Sequence, residues 1–153
     1  MIDVTNASSN NTFDVEIVHR AVLVTVNAHH IEDYEVSVLL TDDFHMTELN
    51  LEYRGIDAPT DVLAFAMREG EDSEMISHNM LGDIVISLET AERQATTEKH
   101  SLAEEVAFLT VHGMLHLLGY DHQTQEEATV MFGKQNAILQ CLQIDTENHI
   151  ISV

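Results

Sequence analysis

The sequence predicts an α+β fold: a single domain over residues 1–153, with a four-stranded mixed sheet covered by helices. Three observations carry this expectation. At 153 residues the chain has the length of one domain with room for a sizeable core. Short apolar or β-branched runs at residues 35–40, 62–67 and 81–87 have strand character and lie among segments of helical spacing. Two capping-box signatures, Ser101-Leu102-Ala103-Glu104 and Thr124-Gln125-Glu126-Glu127, announce two helices late in the chain.

Residues 1–6 fit a short first strand. The polar stretch Ser8 to Thr12 reads as a loop ending in a helix cap. Val15, Val18, Val22 and Val26 keep helical spacing, although Ala21 to Val26 is β-branched enough for a strand; the spacing predicts a helix over Phe13 to Asn27. Glu35 to Leu40 alternates as a strand does. Thr41-Asp42-Asp43 can cap the following helix, whose apolar face is Met46, Leu49 and Tyr53, and Gly55 ends it. After a loop holding Pro59, Val62 to Met67 reads as a strand buried on both faces. Residues 68–79 read as an acidic exposed loop, joining that strand to a partner at Leu81 to Ser87. Thr90 to Lys99 fits a polar helix, followed by the two capped helices, the last with Ala128, Met131, Ile138, Leu139 and Leu142 toward the core. The tail after Gln143 is expected to be loosely held.

Composition narrows the class. Six Lys plus Arg stand against 27 Asp plus Glu, for a formal net charge of −21. Such a field opposes tight, non-specific binding of nucleic acid and leaves local phosphate contacts to a few placed arginines. No apolar run is long enough for a membrane span, and Met1 to Asn6 lacks a signal-peptide pattern, so a cytoplasmic protein is expected. Cys141 is the only cysteine, which leaves no internal disulfide and no cysteine-based zinc site.

The chemistry concentrates in the stretch from His112 to His122. His112 and His116 are i, i+4, one turn apart on one face of a helix. Gly119 can end that helix in the left-handed conformation and swing His122 back toward them. Three converging imidazoles, with a fourth position left to water, are the ligand set of a catalytic zinc ion. The spacing His-x3-His-x2-Gly-x2-His is that of the metzincin site, on a zincin-like helix. The glutamate that serves those proteases as general base is replaced by Gly113, which disfavours a zinc protease. Asp121 is either an orienting partner for an imidazole or a turn residue. The other seven histidines (His19, His29, His30, His45, His78, His100 and His149) read as surface or packing residues. Metal-assisted phosphate chemistry suits what remains, with Arg54 in the Gly-Pro loop a candidate phosphate contact.

The stretch His112 to His122 resembles the signature of the YbeY family, bacterial metal-dependent endoribonucleases of rRNA maturation. Leu49 to Leu63 and Leu81 to Ile86 resemble two further motifs, and the resemblance covers about residues 36–142 in the expected order. It implies one Zn2+ held by His112, His116 and His122 and single-strand-specific cleavage of RNA. It also implies maturation of the small-subunit (16S) rRNA 3′ end and ribosome quality control. The implied partners are rRNA and the small ribosomal subunit, with neither membrane nor DNA expected. The family's functional arginine falls on Arg54. One departure stands out: where the family continues with Ser-Phe-Pro, this chain has Ala64-Phe65-Ala66, so any role of that serine's hydroxyl is in doubt.

Two alternatives compete with a zinc endoribonuclease. One is a zinc peptidase or amidase, which the glycine at position 113 opposes. The other is a ribosome-assembly factor with a structural zinc. That would need a fourth protein ligand, for which Asp121, His100 or Asp83 are conceivable.

Overall fold

The computed structural model describes residues 1–67 and 80–143; the acidic 68–79 loop and the tail after Gln143 lie outside the described residues. The element order is β1 (Ile2–Asn6), α1 (Glu16–Ala28), β2 (Glu35–Thr41), α2 (Asp43–Arg54), β3 (Val62–Ala66), β4 (Met80–Ser87), α3 (Leu88–Glu98), α4 (Leu102–Leu117) and α5 (Gln125–Cys141). The strands form one sheet in the order β1-β2-β4-β3. β1, β2 and β4 run parallel, and β3 is antiparallel to β4, so the sheet is mixed as expected.

The two-residue period of the strands sorts their side chains between two faces. Val36, Val38, Leu40, Val62, Ile84 and Ile86 belong to the main core, with Val18, Val22 and Val26 of α1 and Val106, Leu109 and Met114 of α4. The intervening Leu63 and Val85 pack with Met46 of α2 on the opposite face. Helix α4 is buried almost all round from Glu105 to Leu115, which is the pattern of a central helix rather than a surface one. It packs against α1, α3, α5, β3 and β4.

The ends of the helices follow local chemistry. Both predicted capping boxes form, at Ser101 with Glu104 and at Thr124 with Glu127. Gly55 ends α2 in the left-handed conformation at φ 72°. Other expectations need correction. Helix α1 starts at Glu16, beyond the polar loop, because Asp14 Oδ1 accepts the Glu16 N–H at 3.0 Å. Asp42 occupies the N-cap of α2, yet its carboxylate accepts from the Ser9 N–H at 2.8 Å; Glu89 accepts the Asp43 N–H at 2.8 Å instead. Helix α3 begins at Leu88, earlier than its polar stretch indicates, capped by Ser87.

β3 is an edge strand and is not buried on both faces: Val62 and Leu63 are buried, whereas Ala64, Phe65 and Ala66 are only partly covered. The apolar face of α2 is likewise incomplete. Met46 is buried, but Tyr53 is 59% exposed and rests edge-on against Phe65 at 5.0 Å. On α5, Ala128 is half-buried, while Met131, Ile138, Leu139 and Leu142 reach the core.

Gly82 draws the sheet and the end of α4 together. A Cβ there would stand 2.1 Å from the Phe65 carbonyl oxygen and 2.9 Å from Leu117 Cδ2. Only glycine allows this approach of β3, β4 and α4, which sets α4 against the sheet beside the histidines.

Candidate metal centre

His112 and His116 project from the last turns of α4, and His122 follows the turn after it. The turn is closed by backbone bonds: the Gly119 N–H donates to His116 O and the Tyr120 N–H to Leu115 O, each at 3.0 Å. Gly119 has φ 100°, a conformation an L side chain resists, although nothing around it would clash with a Cβ. Its glycine is therefore a backbone requirement, not a packing one. Tyr120 anchors the turn to α1: its hydroxyl meets His29 Nε2 at 3.0 Å, while His29 Nδ1 donates to Thr25 O at 2.8 Å. His29 is thus the packing residue the sequence reading made it.

The three imidazoles converge. Their ring centroids are 4.7 Å apart for His112 and His116, 5.3 Å for His116 and His122, and 5.5 Å for His112 and His122. One ring nitrogen from each lies within 4.8 Å of the others. The Nε2 atoms of His112 and His116 face one another at 3.2 Å. His122 Nε2 is buried with no hydrogen-bond partner among the described residues. A buried nitrogen without a partner is costly, and a cation shared by three lone pairs relieves it. The residues present therefore fit a metal ion.

Electrostatics keep the donors ready. Burial pushes the His112 pKa down to about 4, with the charges His116 and His122 would carry adding to it, against the upward pull of a hydrogen bond to Gln135. His116 is also shifted down, chiefly by burial and then by His122. Both rings are neutral near pH 7, as metal ligands must be. Phe132 of α5 stacks at 20° on His122, centroids 5.8 Å apart, and on His112 at 6.5 Å.

A cavity of about 260 Å³ opens beside the trio, lined by Arg54, Ala64, Ala66, His116, Tyr120 and Asp121 among others. Arg54 comes from the last turn of α2, nearly sixty residues before the histidines, and the edge strand β3 brings it alongside them. Ala64 and Ala66 of β3 lie in this cavity wall.

Asp121 acts as a turn residue. Its Oδ1 accepts the His122 N–H at 2.7 Å and so holds the loop rather than an imidazole ring. Of the other conceivable fourth ligands, Asp83 lines cavities elsewhere and His100 bonds to Glu105 at 2.6 Å. Among the described residues, no fourth His, Cys, Asp or Glu joins the group of His112, His116 and His122. Gly113 has a packing reason beyond the missing base: a Cβ there would press on Ile84, whose Cγ2, Cδ1 and Cγ1 lie 3.1, 3.2 and 3.3 Å away. Any side chain at this position would crowd Ile84 of β4.

The sequence reading missed two residues, Gln135 and Phe132. Gln135 Oε1 lies 2.9 Å from His112 Nδ1, and both residues are buried. Its signal was available: Gln135 interrupts the apolar stripe Met131, Ile138, Leu139, Leu142 at helical spacing.

A mixed sheet backing a buried helix, with two histidines on its last turns and a third beyond a glycine turn, defines an α+β protein with a zincin-like three-histidine centre. The chain belongs to the endoribonuclease YbeY family, whose model matches residues 3–143. It is 43% identical over 148 residues to the endoribonuclease YbeY of Carboxydothermus hydrogenoformans, covering 95% of this chain and 99% of the relative. It is 48% identical over 134 residues to that of Desulforamulus reducens, covering 86% and 88%. The solution structure of a Thermotoga maritima protein superposes with a TM-score of 0.65 at 25% identity, covering 98% of this chain and 100% of that one. Among the described residues, no helix is long and apolar enough to cross a membrane.

Proposed function

We infer that this chain is a zinc-dependent endoribonuclease that cuts single-stranded RNA, with the small-subunit rRNA 3′ end as its substrate region and the cytoplasm as its compartment. Family membership supports the endoribonuclease activity, since the curated relatives carry that name. The single observation that carries the mechanism is the shared cavity: His116 and Arg54 line the same 260 Å³ space.

His112, His116 and His122 would hold the ion by ring nitrogens. Three neutral imidazoles with an open fourth position favour Zn2+. The metal supplies Lewis acidity toward a phosphoryl oxygen and lowers the pKa of water. The chain's own residues do the rest. Arg54 pairs with the phosphate and stabilises charge that grows on its oxygens during cleavage. In a chain of net charge −21, this cation in the cleft also selects where a phosphodiester approaches. Phe132 covers His112 and His122 on one side and limits the access of water there.

The test pairs two variants with metal analysis and a single-stranded RNA cleavage assay. His116→Ala is expected to lose both metal and cleavage; Arg54→Ala is expected to keep the metal and lose most cleavage. Metal-loaded wild type that leaves single-stranded RNA and immature small subunits intact overturns the reading. The peptidase alternative has against it the absence of a general-base side chain at Gly113, where any side chain would also crowd Ile84. X-ray absorption showing a fourth protein ligand would favour a structural zinc instead.

A further inference from the structure

Gln135 sits where a polar side chain is expensive. It is 2% exposed, on a helix face whose neighbours Met131, Ile138 and Leu139 belong to an apolar cluster with Phe108, Val111 and Leu115. A buried amide in such a place costs free energy unless it is hydrogen-bonded. Its Oε1 stands 2.9 Å from Nδ1 of His112, which is itself fully buried, so no solvent competes.

The direction of that bond follows from the atoms. An amide oxygen only accepts, so His112 Nδ1 carries the hydrogen. A neutral imidazole has one N–H, and Nε2 is then left with its lone pair. Nε2 is the atom that faces His116 Nε2 at 3.2 Å, toward the centre of the trio. In the opposite tautomer the hydrogen would sit on Nε2 and point into the space where a metal must bind.

We propose that Gln135 is a positioning residue that holds His112 in its Nδ1–H tautomer, presenting the Nε2 lone pair before any metal arrives. The proposal deepens the metal-centre reading and rests on it for its consequence, though the tautomer itself is a property of the metal-free chain. The amide removes the cost of switching tautomer and of turning the ring, both of which would otherwise come out of metal affinity. Asp121, the carboxylate next to His122, accepts from the His122 backbone N–H, and His112 is held instead by a residue 23 positions away on another helix.

The experiment reads ring-nitrogen shifts of His112 by long-range 1H–15N NMR in metal-free protein at pH 7.5. It then measures the Zn2+ dissociation constant by competition with a chromophoric chelator. Wild type is expected to show Nδ1 protonated and Nε2 bare. Gln135→Leu, which keeps the volume and removes the acceptor, is expected to shift His112 toward the Nε2–H form and weaken Zn2+ binding by about 10- to 100-fold. Gln135→Glu, which keeps the acceptor, is expected to retain the Nδ1–H form and to bind Zn2+ at least as tightly as wild type. A purely structural role predicts that both variants lose thermal stability while the tautomer stays put, and that result overturns the proposal. So does a wild-type His112 with its hydrogen on Nε2. Wild type that binds no Zn2+ overturns the metal-centre reading, and the metal-free spectra still decide the role of Gln135.

Discussion

The two ends of α4 carry two clusters of the same kinds of residue and treat them in opposite ways. At its start, Glu98, His100 and Glu105 bring two carboxylates to one imidazole. His100 Nε2 lies 2.6 Å from Glu105 Oε1 and 3.8 Å from Glu98 Oε2. At its end, three imidazoles meet, and among the described residues no carboxylate joins the converging ring nitrogens, although Asp121 lies near His116. The first cluster has donors and acceptors of its own, and its excess negative charge is relieved by a proton. Burial, together with the charges of Glu98 and Asp61, pushes the Glu105 pKa up to about 7 against the pull of His100. In the second cluster Gln135 satisfies His112 Nδ1, while His122 Nε2 has no partner among the described residues, and an outside cation suits the lone pairs that face one another. The difference teaches that converging titratable groups make a metal site through the imbalance of their donors, not through convergence alone.

The largest expected effect lies at the histidine end. His112→Ala should drop bound metal from one ion per chain to background, measured by metal analysis, and RNA cleavage should fall with it. Glu105→Gln should leave the metal content unchanged. Equal loss of metal from both variants would erase the distinction between the clusters.

Arg54→Ala comes next. It should lower cleavage by about 10²- to 10³-fold with metal content intact, as loss of a transition-state charge partner does, and Arg54→Lys should recover part of that. Single-turnover kinetics with a defined RNA checks this. An unchanged rate would detach Arg54 from the site.

The clusters should also tilt stability in opposite directions with pH, which urea unfolding of metal-free protein can read. The folded-state pKa of Glu105 is raised from 4.5 to about 7, so its contribution is fully present below pH 4.5 and is lost as the pH rises through 7. The folded-state pKa of His112 is depressed from 6.5 to about 4, so the folded protein is favoured above pH 6.5 and loses that advantage as the pH falls toward 4. Each swing is on the order of 2 kcal/mol. Relative to wild type, Glu105→Gln should therefore gain stability as the pH rises from 4.5 to 7, whereas His112→Gln should lose it as the pH rises from 4 to 6.5. Parallel profiles for the two variants would show that the clusters do not differ in this way.

The smallest effect concerns the helix between the clusters. Gly113→Ala gains about 1 kcal/mol of helix propensity but presses a methyl group on Ile84, a crowding that costs about 1–3 kcal/mol. Net destabilisation of about 1 kcal/mol or less is expected by the same unfolding assay. A gain in stability would mean that Ile84 yields freely.

Much of the site was legible in sequence because it is local. The spacing of His112 and His116 follows from the helix repeat, and the return of His122 from a glycine turn four residues long at most. Both capping boxes were readable for the same reason, since a cap is made by residues three apart. Arg54 was a weak candidate from its Gly-Pro loop and the scarcity of cations, and the family resemblance strengthened it; its own neighbourhood in sequence says nothing of His116. The burial expected on both faces of β3 failed because an apolar run does not reveal whether its strand is central or at an edge.

The sequence by itself determined the order of the elements, the helix that bears the histidines and the turn that gathers them, because each depends on residues within a few positions of one another. Tertiary structure alone decided the rest. Packing α2 and β3 beside the end of α4 put Arg54 and His116 in one cavity. Packing α5 on α4 brought Gln135 to His112 and left Asp121 to the backbone. Packing α4 on the sheet set Gly113 close against Ile84, where a side chain would be crowded. These are relations between distant residues, and they exist only after burial of the apolar faces has fixed which elements touch.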